Sequence, residues 1–317
     1  MQLSLTVLGS SSALPLSNRF PSSQFLTLSN RHFLIDCGEG AQMQLRRNRI
    51  GFARINHIMI SHLHGDHIYG LLPLLTTLHL LDRQKELHIY APAELEKNIE
   101  DNLRLSHARL KFPLIFHPLN MAERDLIYED KAVRVFSFPM RHSLPCCGFL
   151  FEEKPRPRKV IKDQVVKHGI PGPEVKAIKE GGDWENDEGE VIPNDQLTRD
   201  AEKSLSYAYC SDTAYLPNLP ELLGLEPDVL YHEATFRDEH ARRASQTKHS
   251  TARQAGMAAR NSGAKYLLVG HFSTRYENLD DLRDEAREEF DNSYLALENW
   301  QYVLKSGEKL VAQYNLD

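Results

Sequence analysis

A chain of 317 residues is long enough for one large α/β domain or two small ones, and its 41% hydrophobic and 26% charged content is that of a globular protein. No apolar run reaches membrane-span length, and the net charge of −6 excludes a broadly basic nucleic-acid-binding surface. Four cysteines without a Cys-x-x-Cys pair, two of them adjacent at Cys146 and Cys147, do not make a disulfide framework and point to a cytoplasmic protein.

The N-terminus alternates as a strand over Leu3–Leu8 and lacks the basic start of a signal peptide. The turn Gly9-Ser10-Ser11-Ser12 follows, then strands over Gln24–Leu28 and His32–Ile35. Ile58-Met59-Ile60 reads as a buried strand, and directly after it stands His62-Leu63-His64-Gly65-Asp66-His67. Gly65 is expected to let the chain turn tightly there. Neutral imidazole and carboxylate are good Zn²⁺ ligands, and a site with an open position makes hydroxide at neutral pH. Three imidazoles and one carboxylate in six residues therefore point to a metallohydrolase.

Beyond the motif the pattern predicts a helix over Leu71–Leu81, a strand over Leu87–Tyr90 and an amphipathic helix over Ala93–Leu105. Strands follow at Ile115–Pro118 and Ala132–Phe138, and His142 lies just past the latter. Residues 154–200 break the pattern with prolines and glycines, as an inserted arm does. Between Lys154 and Lys179 eight basic residues (Lys154, Arg156, Arg158, Lys159, Lys162, Lys167, Lys176, Lys179) face only Asp163 and Glu174. Alternation resumes with strands over Leu205–Cys210, Val229–His232 and Tyr266–Val269, and a helix over Thr251–Asn261. Asp212 and His271 again follow strands, so strand ends at one sheet edge can gather these donors into a two-metal site. The expected architecture is a layered α/β fold in one domain, 1–317, with the arm at 154–180.

At this point the chain resembles the metallo-β-lactamase superfamily and, within it, the ribonuclease Z family of tRNA 3′-processing endonucleases. The resemblance runs from Phe33-Leu34-Ile35-Asp36-Cys37-Gly38-Glu39-Gly40 through the histidine motif and Gly70-Leu71-Leu72-Pro73 to His142, Gly148-Phe149 and Glu152. It continues through Ser211-Asp212-Thr213, His232-Glu233-Ala234-Thr235-Phe236, His249-Ser250-Thr251 and His271-Phe272-Ser273-Thr274-Arg275-Tyr276. It implies an αββα sandwich with metals at one edge, in which His62, His64 and His142 hold one zinc, Asp66, His67 and His271 the other, and Asp212 bridges them. Two Zn²⁺ per subunit are implied, and the same donors also accept Mn²⁺, Fe²⁺ or Co²⁺.

The resemblance further implies Asp66 as general base, His249 as proton donor to the leaving 3′-oxygen, and Glu233 as the carboxylate orienting a histidine. Arg275 is a candidate for meeting a phosphate. Lys167-His168-Gly169-Ile170-Pro171-Gly172-Pro173 is similar to the tip of the flexible arm with which this family grips tRNA, so Lys154, Arg156, Arg158, Lys159, Lys167, Gly169, Pro171 and Gly172 are candidate substrate contacts. Family members are homodimers acting on precursor tRNA, cutting after the discriminator base to leave a 3′-hydroxyl on the tRNA and a 5′-phosphate on the trailer. The loop Ala13–Arg19 departs from the family in lacking its lysine, with Arg19 as the positive charge nearby. Two other readings are a phosphodiesterase for small substrates and a non-catalytic RNA-binding protein on the same fold.

Overall fold

A computed structural model describes residues 2–315, which divide into a large unit, Gln2–Glu153 with Leu205 onward, and a small one, Lys154–Ser204. In the large unit an eight-stranded sheet runs in the order Val311–Tyr314, Trp300–Lys305, Gln2–Gly9, Ser23–Leu28, Arg31–Cys37, His57–Met59, Leu87–Ala91, Leu114–Pro118. The last four strands are parallel, so their C-terminal ends share one edge. Leu71, Leu74, Leu75 and Leu78 recur at helical spacing and bury one face of Leu71–Leu80 against this sheet. Helices Ala41–Arg47 and Glu94–Leu105 cover the same face through Leu45, Leu95 and Ile99.

The second sheet runs Ser293–Leu295, Tyr266–Gly270, Val229–Glu233, Ser206–Cys210, Cys147–Glu153, Val133–Pro139, Asp125–Glu129. Its outer face carries Leu219–Leu223, Ala252–Asn261 and Asp280–Arg287. Small residues bring these helices close: Ala252, Ala255, Ala258 and Ala259 are buried, and a Cβ on Gly256 would meet Ala286 O at 2.4 Å. The inner faces of the two sheets meet through Phe33 and Phe151, whose ring centroids are 5.0 Å apart, and through the Tyr207 hydroxyl bonded to Gln24. This is the expected αββα sandwich.

Element for element, the strand and helix expectations hold to within one or two residues. The helix expected from Thr251 starts at Ala252, because Thr251 is its N-cap and shares a capping box with Gln254. Helix Ala41–Arg47 and the C-terminal strand Trp300–Lys305, which pairs antiparallel with Gln2–Gly9, lack a local signal strong enough to be read from sequence.

The small unit has two short antiparallel ladders, Lys159–Val160 with Thr198–Arg199 and Trp184–Glu185 with Val191–Ile192. Ile170, Ile178, Ile192 and Leu197 form a core of its own. The arm expected at 154–180 is thus the first part of a larger inserted unit. At its base, within the large unit, Glu153 N donates to Leu205 O at 2.9 Å. Among the described residues no helix is long and apolar enough to cross a membrane.

Candidate metal centre

Donors reach the centre on chain segments that leave strands of both sheets. Past His57–Met59, Ile60 N donates to Tyr90 O at 2.8 Å and Ser61 N to Asp36 Oδ1 at 2.8 Å, which pins the start of the histidine loop. Gly65 does not make the expected tight turn: it opens the short helix Gly65–Ile68, and a Cβ there would meet the Tyr69 ring at 2.2 Å. From the second sheet come His142, Asp212 and His271, each beyond the end of its strand. His271 holds a φ of +58°, and the preceding Gly270 has no room for a side chain, since a Cβ would meet Tyr231 Oη at 2.4 Å.

The seven donors fall into two groups sharing Asp212. In the first, His64 Nδ1 lies 2.9 Å from His62 Nε2 and 3.2 Å from His142 Nε2. Asp212 Oδ2 is 3.6 Å from both His62 Nε2 and His142 Nε2. In the second, Asp212 Oδ1 is 3.4 Å from His67 Nε2 and 3.1 Å from His271 Nε2, while Asp66 Oδ2 is 3.6 and 3.4 Å from the same two nitrogens. Ligands bound at about 2.0–2.1 Å in a tetrahedral array stand about 3.3–3.4 Å apart. Each carboxylate oxygen of Asp212 faces a different group, as a bridging ligand requires. His67 Nε2 and His271 Nε2 are buried with no hydrogen-bond partner, so nitrogen and oxygen donors and two orphaned nitrogens all fit a pair of divalent ions.

Around the donors, Nδ1 of each inward-facing imidazole is held: His62 by Ser61 Oγ at 3.1 Å, His67 by Asp36 Oδ2 at 2.7 Å, His142 by Lys248 O at 3.0 Å, His271 by Thr235 Oγ1 at 2.9 Å. Such partners fix tautomer and ring direction. Burial, joined by the His67 charge, holds His62 well below the usual histidine range, and burial also lowers His64 and His142 against the pull of Asp212. These three are therefore neutral, the form that binds metal. His67 is raised although burial opposes it, because Asp212, Asp36 and Asp66 surround it, so a cation entering there exchanges for a proton. Asp212 and Asp66 are held below the carboxylate range, against burial, by the neighbouring histidines.

Beside the second group, His249 Nδ1 lies 2.8 Å from Glu233 Oε1. Burial works against protonating His249, but the Glu233 carboxylate prevails and pushes it up to about 9. Glu233 also accepts from Thr213 N at 2.8 Å and from Thr235 Oγ1 at 2.6 Å, so its position is fixed on several sides. Glu233, His249 and His271 make a third close group of donors.

Other expectations separate. Arg275 is solvent-facing, with its guanidinium 5.1 Å from the Phe236 ring centroid and Nε donating to Ser273 Oγ at 3.1 Å. Arg19 does not replace the missing lysine, because it is buried and its Nη2 donates to Tyr276 O at 2.8 Å. Lys154, Arg156, Arg158, Lys159, Lys167, Gly169, Pro171 and Gly172 all belong to the small unit. There Arg156, Arg158, Lys159, Lys162 and Lys179 line a cavity of about 700 Å³. Sequence reasoning gave no role to Asp36, Thr235, the Lys248 carbonyl or the Ala13 amide, which donates to Asp66 Oδ2 at 2.8 Å. The available signals were the presence of Asp36 in the Phe33–Gly40 block and of Thr235 in the His232–Phe236 block.

Comparison with known proteins places this geometry in a family. A family model described as anti-Pycsar protein Apyc1 matches residues 3–155, which stops short of Asp212, Glu233, His249 and His271. A ribonuclease Z of Bacteroides thetaiotaomicron is 48% identical over 93% of this chain and 93% of its own length. The crystal structure of the short form of human tRNase Z aligns with a TM-score of 0.69 at 25% identity, covering 96% of this chain and 100% of that one. A metallo-β-lactamase fold protein of Bacillus subtilis aligns over 96% of this chain and 99% of its own with a TM-score of 0.66 at 17% identity, which speaks for the fold. With near-complete coverage at that identity, and the full donor set in place, the chain belongs to the ribonuclease Z family.

Proposed function

We propose that the protein is a zinc-dependent endoribonuclease that removes the 3′ trailer of precursor tRNA, leaving a 3′-hydroxyl on the tRNA and a 5′-phosphate on the trailer, and that it acts in the cytoplasm as a homodimer. The observation that carries this reading is the seven-donor, two-group centre in a chain 48% identical to a ribonuclease Z. His62, His64 and His142 would hold one ion, Asp66, His67 and His271 the other, with Asp212 shared. Two such ions supply Lewis-acid stabilisation of charge developing at the phosphodiester and a water of lowered pKa.

The protein groups divide the remaining work. Asp66, held anionic and fixed by the Ala13 amide, is a weak base, which favours a ligand and orienting role over the general-base role. His249 is the proton source for the leaving 3′-oxygen: Glu233 engages Nδ1 and keeps the ring charged, leaving Nε2 to donate. Basic residues of the inserted unit, Lys154, Arg156, Lys162 and Lys167 with the turn Gly169-Ile170-Pro171-Gly172, would neutralise tRNA phosphates without reading bases. Arg158 and Lys159 already pair with Asp200 and Glu202, each at 2.5 Å, so phosphate would have to compete for them.

Incubating the zinc-loaded protein with a 3′-extended tRNA transcript tests the reading. Cleavage immediately after the discriminator base is expected. Hydrolysis of bis-p-nitrophenyl phosphate with an intact transcript would instead assign a small-substrate phosphodiesterase.

A further inference from the structure

A cavity of about 480 Å³ opens beside the first group of donors, and none of its lining residues belongs to the donor set. Part of its wall comes from segments just past the C-terminal ends of Leu87–Ala91 and Leu114–Pro118, where Leu119 N donates to Ala91 O at 2.9 Å. The rest comes from two loops that carry metal donors. Leu63 stands between His62 and His64, while Leu144 and Pro145 follow His142 on a loop closed by Met140 N donating to Cys146 O at 2.9 Å. We propose, on the nuclease reading, that this cavity receives the base of the first trailer nucleotide, the one whose phosphate is attacked.

Chemistry, size and direction all favour that occupant. The walls are apolar, formed chiefly by Leu63, Pro92, Leu119, Met121, Leu144 and Pro145. The one charged residue among the lining is Glu94, so a phosphate is repelled, whereas the flat face of a base gains by leaving water. Exposed Glu94 and Asn120 add polar atoms that can meet the edge of a base. The volume lies within the roughly 300–1,000 Å³ of pockets that hold small organic ligands. Direction separates the trailer from the tRNA body. His249, the proton source for the leaving 3′-oxygen, lies against second-sheet groups, its ring centroid 4.9 Å from that of His142, 5.4 Å from His271 and 6.1 Å from Phe236. The cavity draws mainly on the first-sheet edge and the histidine loop. In-line displacement sends the 3′-oxygen and the tRNA toward His249 and leaves the phosphorus with the trailer. The first trailer base therefore falls on the cavity side of the centre.

Cleavage of 3′-extended transcripts by the full-length protein, with one side chain and one base removed in turn, reads the occupant. Leu144→Ser changes an exposed side chain. On the intact transcript it should lower kcat/KM by about tenfold, the scale of a lost apolar contact in a pocket. Removing the base of the first trailer nucleotide should cost wild type a similar factor and cost Leu144→Ser almost nothing further. Removing the discriminator base instead should cost both proteins equally. Met121→Ser, a change on a different wall segment, should repeat the pattern. Additive losses in both variants would overturn the inference, as would coupling to the discriminator base. A changed sedimentation coefficient in Leu144→Ser would show the cavity to be an interface between copies of the chain and overturn it as well. Failure of wild type to cut the intact transcript would remove the nuclease reading itself, and the inference with it.

Discussion

Asp36 and Glu233 are the two carboxylates that each gather four hydrogen bonds behind the metal centre; Asp36 sets the second group. It accepts from Ser61 N and Ser61 Oγ, from His67 Nδ1 at 2.7 Å and from the Tyr209 hydroxyl at 2.7 Å, all while fully buried and with a φ of +52°. Asp36→Asn keeps the volume but turns one acceptor oxygen into a donor, and at least one of those partners loses its bond. Metal affinity of the second group should fall by about 10–100-fold, measured by competition with a chromophoric chelator. His249 sets the pH response. Its charged form is present below its raised pKa of about 9 and is lost as pH rises through it, so single-turnover cleavage should decline on the alkaline side near pH 9. Glu233→Gln removes the charge that raises it, so that limb should move toward neutral pH. His249→Ala should slow cleavage by about 10²–10⁴-fold with metal content unchanged; an unaltered rate would remove His249 from the reaction.

At the scale of elements, two glycines flanking the short helix Gly65–Ile68 make contrasting demands. A Cβ on Gly70 would meet Gly38 O at 2.0 Å, backbone that has no way to yield, and Gly70 N donates to Cys37 O at 2.9 Å. Gly70→Ala should therefore push helix Leu71–Leu80 off its strand and cost about 1–3 kcal/mol in urea unfolding. For Gly65→Ala the nearest contacts are all with the Tyr69 ring, an exposed side chain free to swing away, so it should cost far less. These elements were readable where periodicity spoke, as in Leu71–Leu80, and the seven donors were readable because each stands just past an apolar strand. Asp36, Thr235 and the Lys248 carbonyl were not, because their roles arise only when distant segments meet, and Asp36 and Lys248 do so in left-handed backbone that no local pattern announces. The same holds for Leu63, Met121 and Leu144, which are far apart in sequence and line one cavity only in the folded chain.

For the whole molecule, the insertion is anchored where Glu153 and Leu205 are already hydrogen-bonded to each other. Replacing residues 155–203 by a short turn should leave the large unit folded, because the clusters that pack helices onto the outer face of each sheet draw none of their described residues from the insertion. Such a protein should keep its metal and its hydrolysis of bis-p-nitrophenyl phosphate and lose most cleavage of precursor tRNA. The remaining activity should depend less steeply on salt, since fewer phosphates would be neutralised. Full activity on tRNA without the insertion would rule out its part in substrate binding.

Four of the donors descend from the first sheet and three from the second, so a bound ion fastens the two layers of the sandwich to each other. Free ion at a hundredfold excess over its dissociation constant would add about 2.7 kcal/mol to stability. Chelation should accordingly lower the thermal midpoint and speed digestion by an added protease. A chain made during metal starvation would then be a preferred target of cellular quality control, more than an idle enzyme awaiting reload. The abundance of the protein, and not only its specific activity, would follow the supply of divalent ions.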